Sequence, residues 1–215
     1  MPPHVHKPAG NKKVVCVSAI STWWRAMTES NISHLQPFDR ESGYLNVIIE
    51  TPMGSRNKFK YNEKHGLFMF DKALPIGQTF AFDFGFLPST LGEDGDPLDA
   101  LVLTSEPTFV GCLVPAKLLG VIEAEQTVEG ETTRNDRFIS VPIEAKSQKP
   151  PEGSMDTLDL IVAGNIAKFF IVYNDLQGRQ FKVLRISGPD RAMQLIKEGA
   201  ANAKPGKKKI RSAGA

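Results

Sequence analysis

Regular alternation of apolar and polar positions begins at Tyr44. Residues 1–40 are polar and irregular, with Pro2, Pro3, Pro8 and Pro37, and read as an N-terminal extension with little core. Leu45 to Glu50 is rich in β-branched residues and stops at Thr51-Pro52, which predicts a strand. Lys58 to Tyr61 alternates charge and ring, as a half-buried strand does, and Leu67 to Phe70 follows His65-Gly66, so the two segments predict a hairpin. From Thr79 to Pro88 every second position is aromatic: Phe80, Phe82, Phe84 and Phe86. With Phe70 these are five of the 13 phenylalanines, and they read mostly as the core of a small barrel. Ala100–Leu103, Leu113-Val114, Lys117–Ile122 and Arg137–Val141 continue as short strands, and Gln126 to Asn135 reads as a polar connection.

Beyond Pro150-Pro151 the period changes. Leu158, Ile161, Val162, Ile166, Phe169, Phe170 and Tyr173 recur at helical spacing, with Asp156 or Thr157 as N-cap and Gly178 past the end. Phe181–Ile186 reads as a strand. Ser187 to Asp190 then opens a second helix, with Pro189 in its first turn and Ala192, Leu195 and Ile196 facing inward. A run of short strands followed by helices predicts an α+β domain over residues 41–203, between the extension (1–40) and a basic tail (204–215).

Composition adds little to this. With 215 residues, 41% apolar and 23% charged, the chain is ordinary for a globular protein, and its net charge of +2 selects no partner. The basic excess is local, from Lys204 to Arg211, and reads as a solvated tail, which argues against a nucleic-acid partner. No apolar run is long enough to cross a membrane. Lys12-Lys13 followed by Val14–Ile20 and Trp23-Trp24 resembles an export leader, but no convincing cleavage site follows; a second reading starts the chain at Met27. Two isolated cysteines, Cys16 and Cys112, make no disulfide framework and fit a reducing cytosol. No role falls to His4, His6, His34 or His65.

The chemistry concentrates between Glu93 and Asp99, where four carboxylates lie within seven residues, with Gly95 and Pro97 tightening the loop. Like charges at that density need cations or open water, and oxygen-only ligands select hard cations such as Mg²⁺ or Mn²⁺. The loop is not an EF-hand, which would place Gly at Asp99 and Glu at Ser105. Alone it would read as a solvated acidic turn.

Asp94-Gly-Asp-Pro-Leu-Asp99, followed by Ala100–Leu103, closely resembles the signature of the family I inorganic pyrophosphatases, and its surroundings match in the same order. These are Glu50-Thr-Pro52, Lys60-Tyr61, Phe84-Gly-Phe-Leu-Pro88, Arg137 to Pro142, and Phe169 to Tyr173, so that the resemblance runs from about residue 44 to 186. It implies a small OB-like, closed or partly closed β-barrel flanked by two C-terminal helices. It implies hydrolysis of pyrophosphate to two phosphates by a homo-oligomeric, cytoplasmic enzyme. Asp94, Asp96 and Asp99 would hold Mg²⁺ (or Mn²⁺), with Glu50 beside them, and Asp96 would accept the proton of the attacking water. Lys60, Lys72 and Arg137 would cradle phosphate oxygens, Lys60 and Arg137 as part of the catalytic set, and Tyr173 would donate a hydrogen bond. Read without the resemblance, Lys60 is solvated charge and Tyr173 is core.

The pattern is broken at several points. Asn62 stands for Glu, Lys72 for Arg, Phe84 for Tyr, Asn135 for a metal-binding Asp and Asn174 for Lys. Asp136 would point away from the site on an extended chain. A second family Asp is matched by Gln126 in one register and by Glu125, Glu129 or Glu131 in another. An amide keeps an oxygen but loses a charge, so weaker or altered metal binding is expected. The alternatives are a catalytically silent relative that binds phosphate or a protein partner, and a phosphohydrolase acting on another small substrate.

Overall fold

The chain divides into two units, residues 1–31 and 32–215, and every strand and helix named here belongs to the second. The structure, a computed structural model, describes Ile32, residues 35–144, Lys149 and residues 157–203. Expectations placed on residues 1–31, His34, Pro150, Pro151, Asp156 and the tail from Lys204 lie outside the described residues.

Strand β1 (Leu45–Thr51) is buried along its whole length. Its sequence is accordingly a nearly continuous apolar run rather than an alternation. It pairs antiparallel with β4 (Asp83–Phe86) on one side and β6 (Leu113–Val128) on the other. From β4 the sheet continues to β5 (Asp99–Val102), then in parallel to β8 (Arg137–Pro142), and so back to β6. These five strands close a ring, the expected OB-like barrel. Gly85 is what allows the β1–β4 contact. A Cβ built on it would lie 1.9 Å from the Ile48 carbonyl oxygen, so Phe84-Gly-Phe86 admits no larger residue at its centre.

β6 outruns the barrel. A single strand replaces the two short ones expected at Leu113-Val114 and Lys117–Ile122, and register shifts let it serve β8 and then β9 (Gln180–Ser187). The supposed polar connection from Gln126 to Asn135 is mostly ladder. β6 turns into β7 (Glu131–Arg134) through Glu129 and Gly130, both at positive φ (51° and 85°), with Val128 opposite Glu131. That is the two-residue hairpin geometry matching the twist of the strands. Its residues are exposed or half-buried, so no hydrophobic periodicity marked it.

The expected hairpin forms from β2 (Asn57–Asn62) and β3 (Leu67–Ala73), as a separate two-stranded sheet. Phe70 lies on it and is 59% exposed, so it is not barrel core as expected. Two barrel side chains pin the hairpin: Glu50 Oε1 accepts from the Tyr61 amide (2.7 Å) and Thr51 Oγ1 from the Phe59 amide (3.4 Å).

Helix α1 (Leu160–Asp175) starts later than expected. Asp159, not Thr157, is the N-cap, its side chain accepting from the amides of Ile161 and Val162 at 2.8 and 3.0 Å. Leu158 precedes the cap and packs in the core, whereas Ile161 points outward and is 75% exposed. The helix is apolar on nearly all sides, so spacing alone could not choose its inner face. Its inner residues Ala163, Ile166, Ala167, Phe170 and Tyr173 join Phe80, Phe84, Leu119, Ile122 and Ile139 in one core cluster. A second cluster joins β1 and Phe138 to Ala192 and Ile196 of α2 (Pro189–Asn202), which has Pro189 in its first turn as expected. Residues 36–38 are also tied in: Phe38 bridges to Leu45, and Asn46 Nδ2 donates to the Gln36 carbonyl at 3.0 Å.

Candidate active site

The acidic loop joins β4 to β5 at one end of the barrel. The Asp96 amide donates to Asp94 Oδ1 (3.1 Å) and the Gly92 amide to the Asp96 carbonyl (2.8 Å), which folds the loop back on itself. Thr90 accepts from the Leu98 amide at 3.0 Å. Helix α2 buttresses the loop from behind: the Leu91 amide donates to the Gly199 carbonyl at 3.0 Å, and a Cβ on Gly199 would lie 2.6 Å from Leu98. Asp94, Asp99, Asn135 and Asp136 line a concavity beside Glu198 and Asn202.

Two cations reach the loop from other elements. Lys60, on β2, places Nζ 2.8 Å from Asp96 Oδ2. Arg137, at the start of β8 and almost fully buried, places a guanidinium nitrogen 2.7 Å from Asp99 Oδ2. Its guanidinium also bonds the Asn135 side chain and the Asp136 carbonyl, and it stacks on Phe170 (4.7 Å) and Phe181 (5.2 Å). Arg137 is thus held by two rings and a carboxylate, which fixes its direction.

The remaining carboxylates are under-neutralised. Burial, with repulsion from Asp99 added, pushes Glu50 up to about 7 despite the Tyr61 amide that opposes it. Burial and the same neighbour push Asp94 up to about 6. Lys60 shifts upward too: burial works against its charge, but Asp96, Glu50 and Asp99 outweigh it. Among the described residues these four carboxylates have Lys60 and Arg137 as direct ion-pair partners, while Lys58 acts on Glu50 from farther away. An all-oxygen set short of positive charge is chemically suited to a hard divalent cation. Among the described residues it does not close into a ready ligand cage; Asp96 and Asp99 are turned to Lys60 and Arg137.

The other expected residues lie differently. Lys72, on β3, sits with Nζ over the Tyr173 ring at 5.9 Å and bonds the Gln177 side chain. Tyr173 is buried between Phe80, Phe169 and Phe170, the core position that its spacing also allowed. Asn174 is buried and donates to the Phe170 carbonyl at 2.8 Å. Asn135 donates to Gln126, so the two amides face each other across the β6–β7 hairpin. Asp136 borders the same concavity but is already engaged: it accepts from the Ala124 amide (2.9 Å) and pairs with Arg134 (2.6 Å). Sequence reasoning missed the Phe170–Phe181 sandwich around Arg137, Gln177 beside Lys72, and the Glu93–Arg134 contact, in which the Arg134 amide donates at 3.2 Å. All three are long-range pairings without a local motif.

Comparison with known proteins agrees on one relationship. The sequence profile of the family described as inorganic pyrophosphatase matches residues 47–204. An inorganic pyrophosphatase of Synechocystis is 32% identical over 78% of this chain and 96% of its own; one from Geobacillus stearothermophilus is 34% identical over 74% and 93%. The crystal structure of an inorganic pyrophosphatase from Neisseria gonorrhoeae superposes with a TM-score of 0.69 at 29% identity, covering 80% of this chain and 98% of that one.

Proposed function

This chain belongs to the inorganic pyrophosphatase family and hydrolyses pyrophosphate to two phosphates, and we propose that it does so at the acidic loop, with Asp94, Asp96, Asp99 and Glu50 as the metal-holding set. The observation that carries the site is the convergence of Asp96 with Lys60 and of Asp99 with Arg137, at 2.8 and 2.7 Å, on a loop short of positive charge. Family members are metal-dependent; Mg²⁺ is the ion we assign here, with Mn²⁺ second, on the hardness of the donor set. A divalent cation there acidifies water and offsets phosphate charge.

The chain's own residues do the rest. Arg137, fixed between two rings, presents a directed cation to phosphate oxygens. Lys60 offers an ammonium that can exchange Asp96 for substrate, and that exchange would free the Asp96 carboxylate to take a proton. Lys72 adds a second ammonium from β3, and Tyr173 is read as a hydroxyl donor. Asn135 donates to Gln126 and accepts from Arg137, and both side chains are neutral amides that add no charge to the rim, which supports a raised metal requirement.

We further read the protein as a cytoplasmic homo-oligomer. Cys112 is a free thiol, and no described helix is long and apolar enough to cross a membrane. Leu160, Ile161, Ile171, Val172 and Leu176 leave an exposed apolar stripe on α1, a surface suited to another copy.

The test is phosphate release from pyrophosphate, with Mg²⁺ titrated to high concentration, beside Asp94→Asn. We expect metal-dependent turnover that the substitution lowers at least about 100-fold. Turnover that ignores the substitution would move the site elsewhere, and no release with Mg²⁺ or Mn²⁺ would defeat the catalytic reading.

A further inference from the structure

We infer that Asp83 is a positioning residue that holds the bulge through which β1 aims Glu50; this rests on the reading of Glu50 as part of the metal-holding set. β1 and β4 pair Ile48 with Phe86 and Ile49 with Gly85, but the next pair is Thr51 with Phe84. Glu50 is therefore the extra residue of a β-bulge, a device that re-aims a side chain. Consecutive side chains of a regular strand leave opposite faces. Here Glu50 and Thr51, next to each other in β1, both reach amides of β2, at Tyr61 and Phe59. A regular β1 would send only one of them there.

Beyond Thr51 the ladder cannot continue, because Pro52 has no amide hydrogen. Asp83, the first residue of β4, takes over with its side chain. Its Oδ1 accepts from the Met53 amide at 2.7 Å, and its Oδ2 from the Thr108 amide, in the β5–β6 connection, at 3.1 Å. Asp83 is completely buried, and the catalytic reading gives it no task. Its carboxylate joins three segments: the end of β1, the start of β4 and the loop before β6. The turn after Pro52 does not depend on it. There the Ser55 amide donates to the Pro52 carbonyl at 3.1 Å, the Gly54 amide to the Phe80 carbonyl at 2.8 Å and the Phe80 amide to the Ser55 carbonyl at 3.2 Å. What Asp83 adds is a fixed spacing between β1 and β4 immediately past the bulge. Without it β1 can slip back toward regular pairing, which turns one of Glu50 and Thr51 away from β2. A carboxylate that is to hold a metal needs such a support behind it, because its direction decides whether its oxygens reach the ion.

The test is hydrogen exchange at the Tyr61 amide, which reports where the Glu50 carboxylate lies, with Mg²⁺ affinity measured by calorimetry on the same proteins. Two variants break the hold from its two ends. Asp83→Asn keeps one oxygen but faces the second amide with an NH₂ group. Met53→Pro removes only the amide hydrogen; Met53 precedes Gly54, at φ 76°, in a turn whose second position suits proline, so this variant keeps the test open should Asp83→Asn not fold. We expect both to speed exchange at Tyr61 about tenfold while the amides of β8 keep their rates, and to weaken Mg²⁺ binding about tenfold. In a Glu50→Gln background Asp83→Asn should weaken it by less than about twofold more, because the two act through one carboxylate. Unchanged exchange at Tyr61, equally faster exchange throughout β8, or losses that simply add to that of Glu50→Gln would overturn the proposal. Faster exchange at Tyr61 with Mg²⁺ affinity indifferent to Asp83→Asn, Glu50→Gln and Asp94→Asn alike would defeat the metal-holding set and leave the positioning of Glu50 standing.

Discussion

At the scale of single residues, two side chains show how differently a carboxylate can be used here. Asp94 is crowded by its own kind, whereas Glu123 is surrounded by cations. Glu123 is 2% exposed and receives Arg134 at 2.5 Å, Arg185 at 2.9 Å, Arg191 at 3.4 Å and the Ser187 hydroxyl at 2.7 Å. Burial alone would raise its pKa, but these donors together hold it down at about 2. A depressed pKa contributes stability that is whole above the unfolded value, about 4.5, and is lost as pH falls from there toward 2. Glu123→Gln should therefore destabilise the neutral protein by about 3 kcal/mol, because it leaves cations under-paired. It should also flatten the fall in melting temperature between pH 4.5 and pH 2; a variant that melts like wild type across that range would refute the reading. Asn135 offers the opposite change. Asn135→Asp adds a carboxylate next to Arg137 at the rim of the acidic loop, and should lower the Mg²⁺ concentration for half-maximal turnover about tenfold. A Mg²⁺ titration of phosphate release checks it. Of the residues that matter, Asp94, Asp96 and Asp99 were legible because they sit in one short stretch. The ring sandwich around Arg137 was not, because Phe170 and Phe181 are distant from it in sequence and only the packing of α1 and β9 against β8 brings them there.

Elements were legible to the degree that they bury one face. β1, β4, β5 and β8 were read because nearly all their residues are interior, and α2 because its apolar stripe is narrow. The β6–β7 hairpin escaped because it buries almost nothing, and α1 misled because outward residues such as Ile161 are as apolar as the inward ones. Two predictions belong at this scale. Asp159→Ala removes the side-chain cap of α1 and should cost about 1 kcal/mol in chemical denaturation, whereas Thr157→Ala, too early in the chain to cap, should cost nothing measurable. Gly85→Ala drives a methyl group into the Ile48 carbonyl, a backbone atom that cannot turn aside. It should lower stability by about 3 kcal/mol, seen as a shifted urea midpoint with an unchanged slope.

For the whole molecule, the α1 stripe carries the remaining prediction. If the proposed homo-oligomer forms through this stripe, Ile161→Glu combined with Val172→Glu, both on positions more than half exposed, should convert it to monomers in sedimentation while the far-ultraviolet circular dichroism stays the same. An unchanged sedimentation coefficient would place the contact elsewhere or show that there is none. The order of strands around the ring has a different consequence, one that concerns synthesis. β8 is the last barrel strand in the sequence, yet it lies between β5 and β6, and it begins with Arg137. A ribosome that has released everything up to β7 has released a barrel with a slot in its wall. β5 then shows an unpaired edge, and the acidic loop that leads into β5 lacks its buried cation. Only when residues 137–142 emerge does one strand seal the wall and bring the guanidinium to Asp99. Closing the barrel and neutralising the loop are thus one late event. Nascent chains arrested before residue 137 has emerged should stick to one another through that edge, and those arrested after residue 142 has emerged should not.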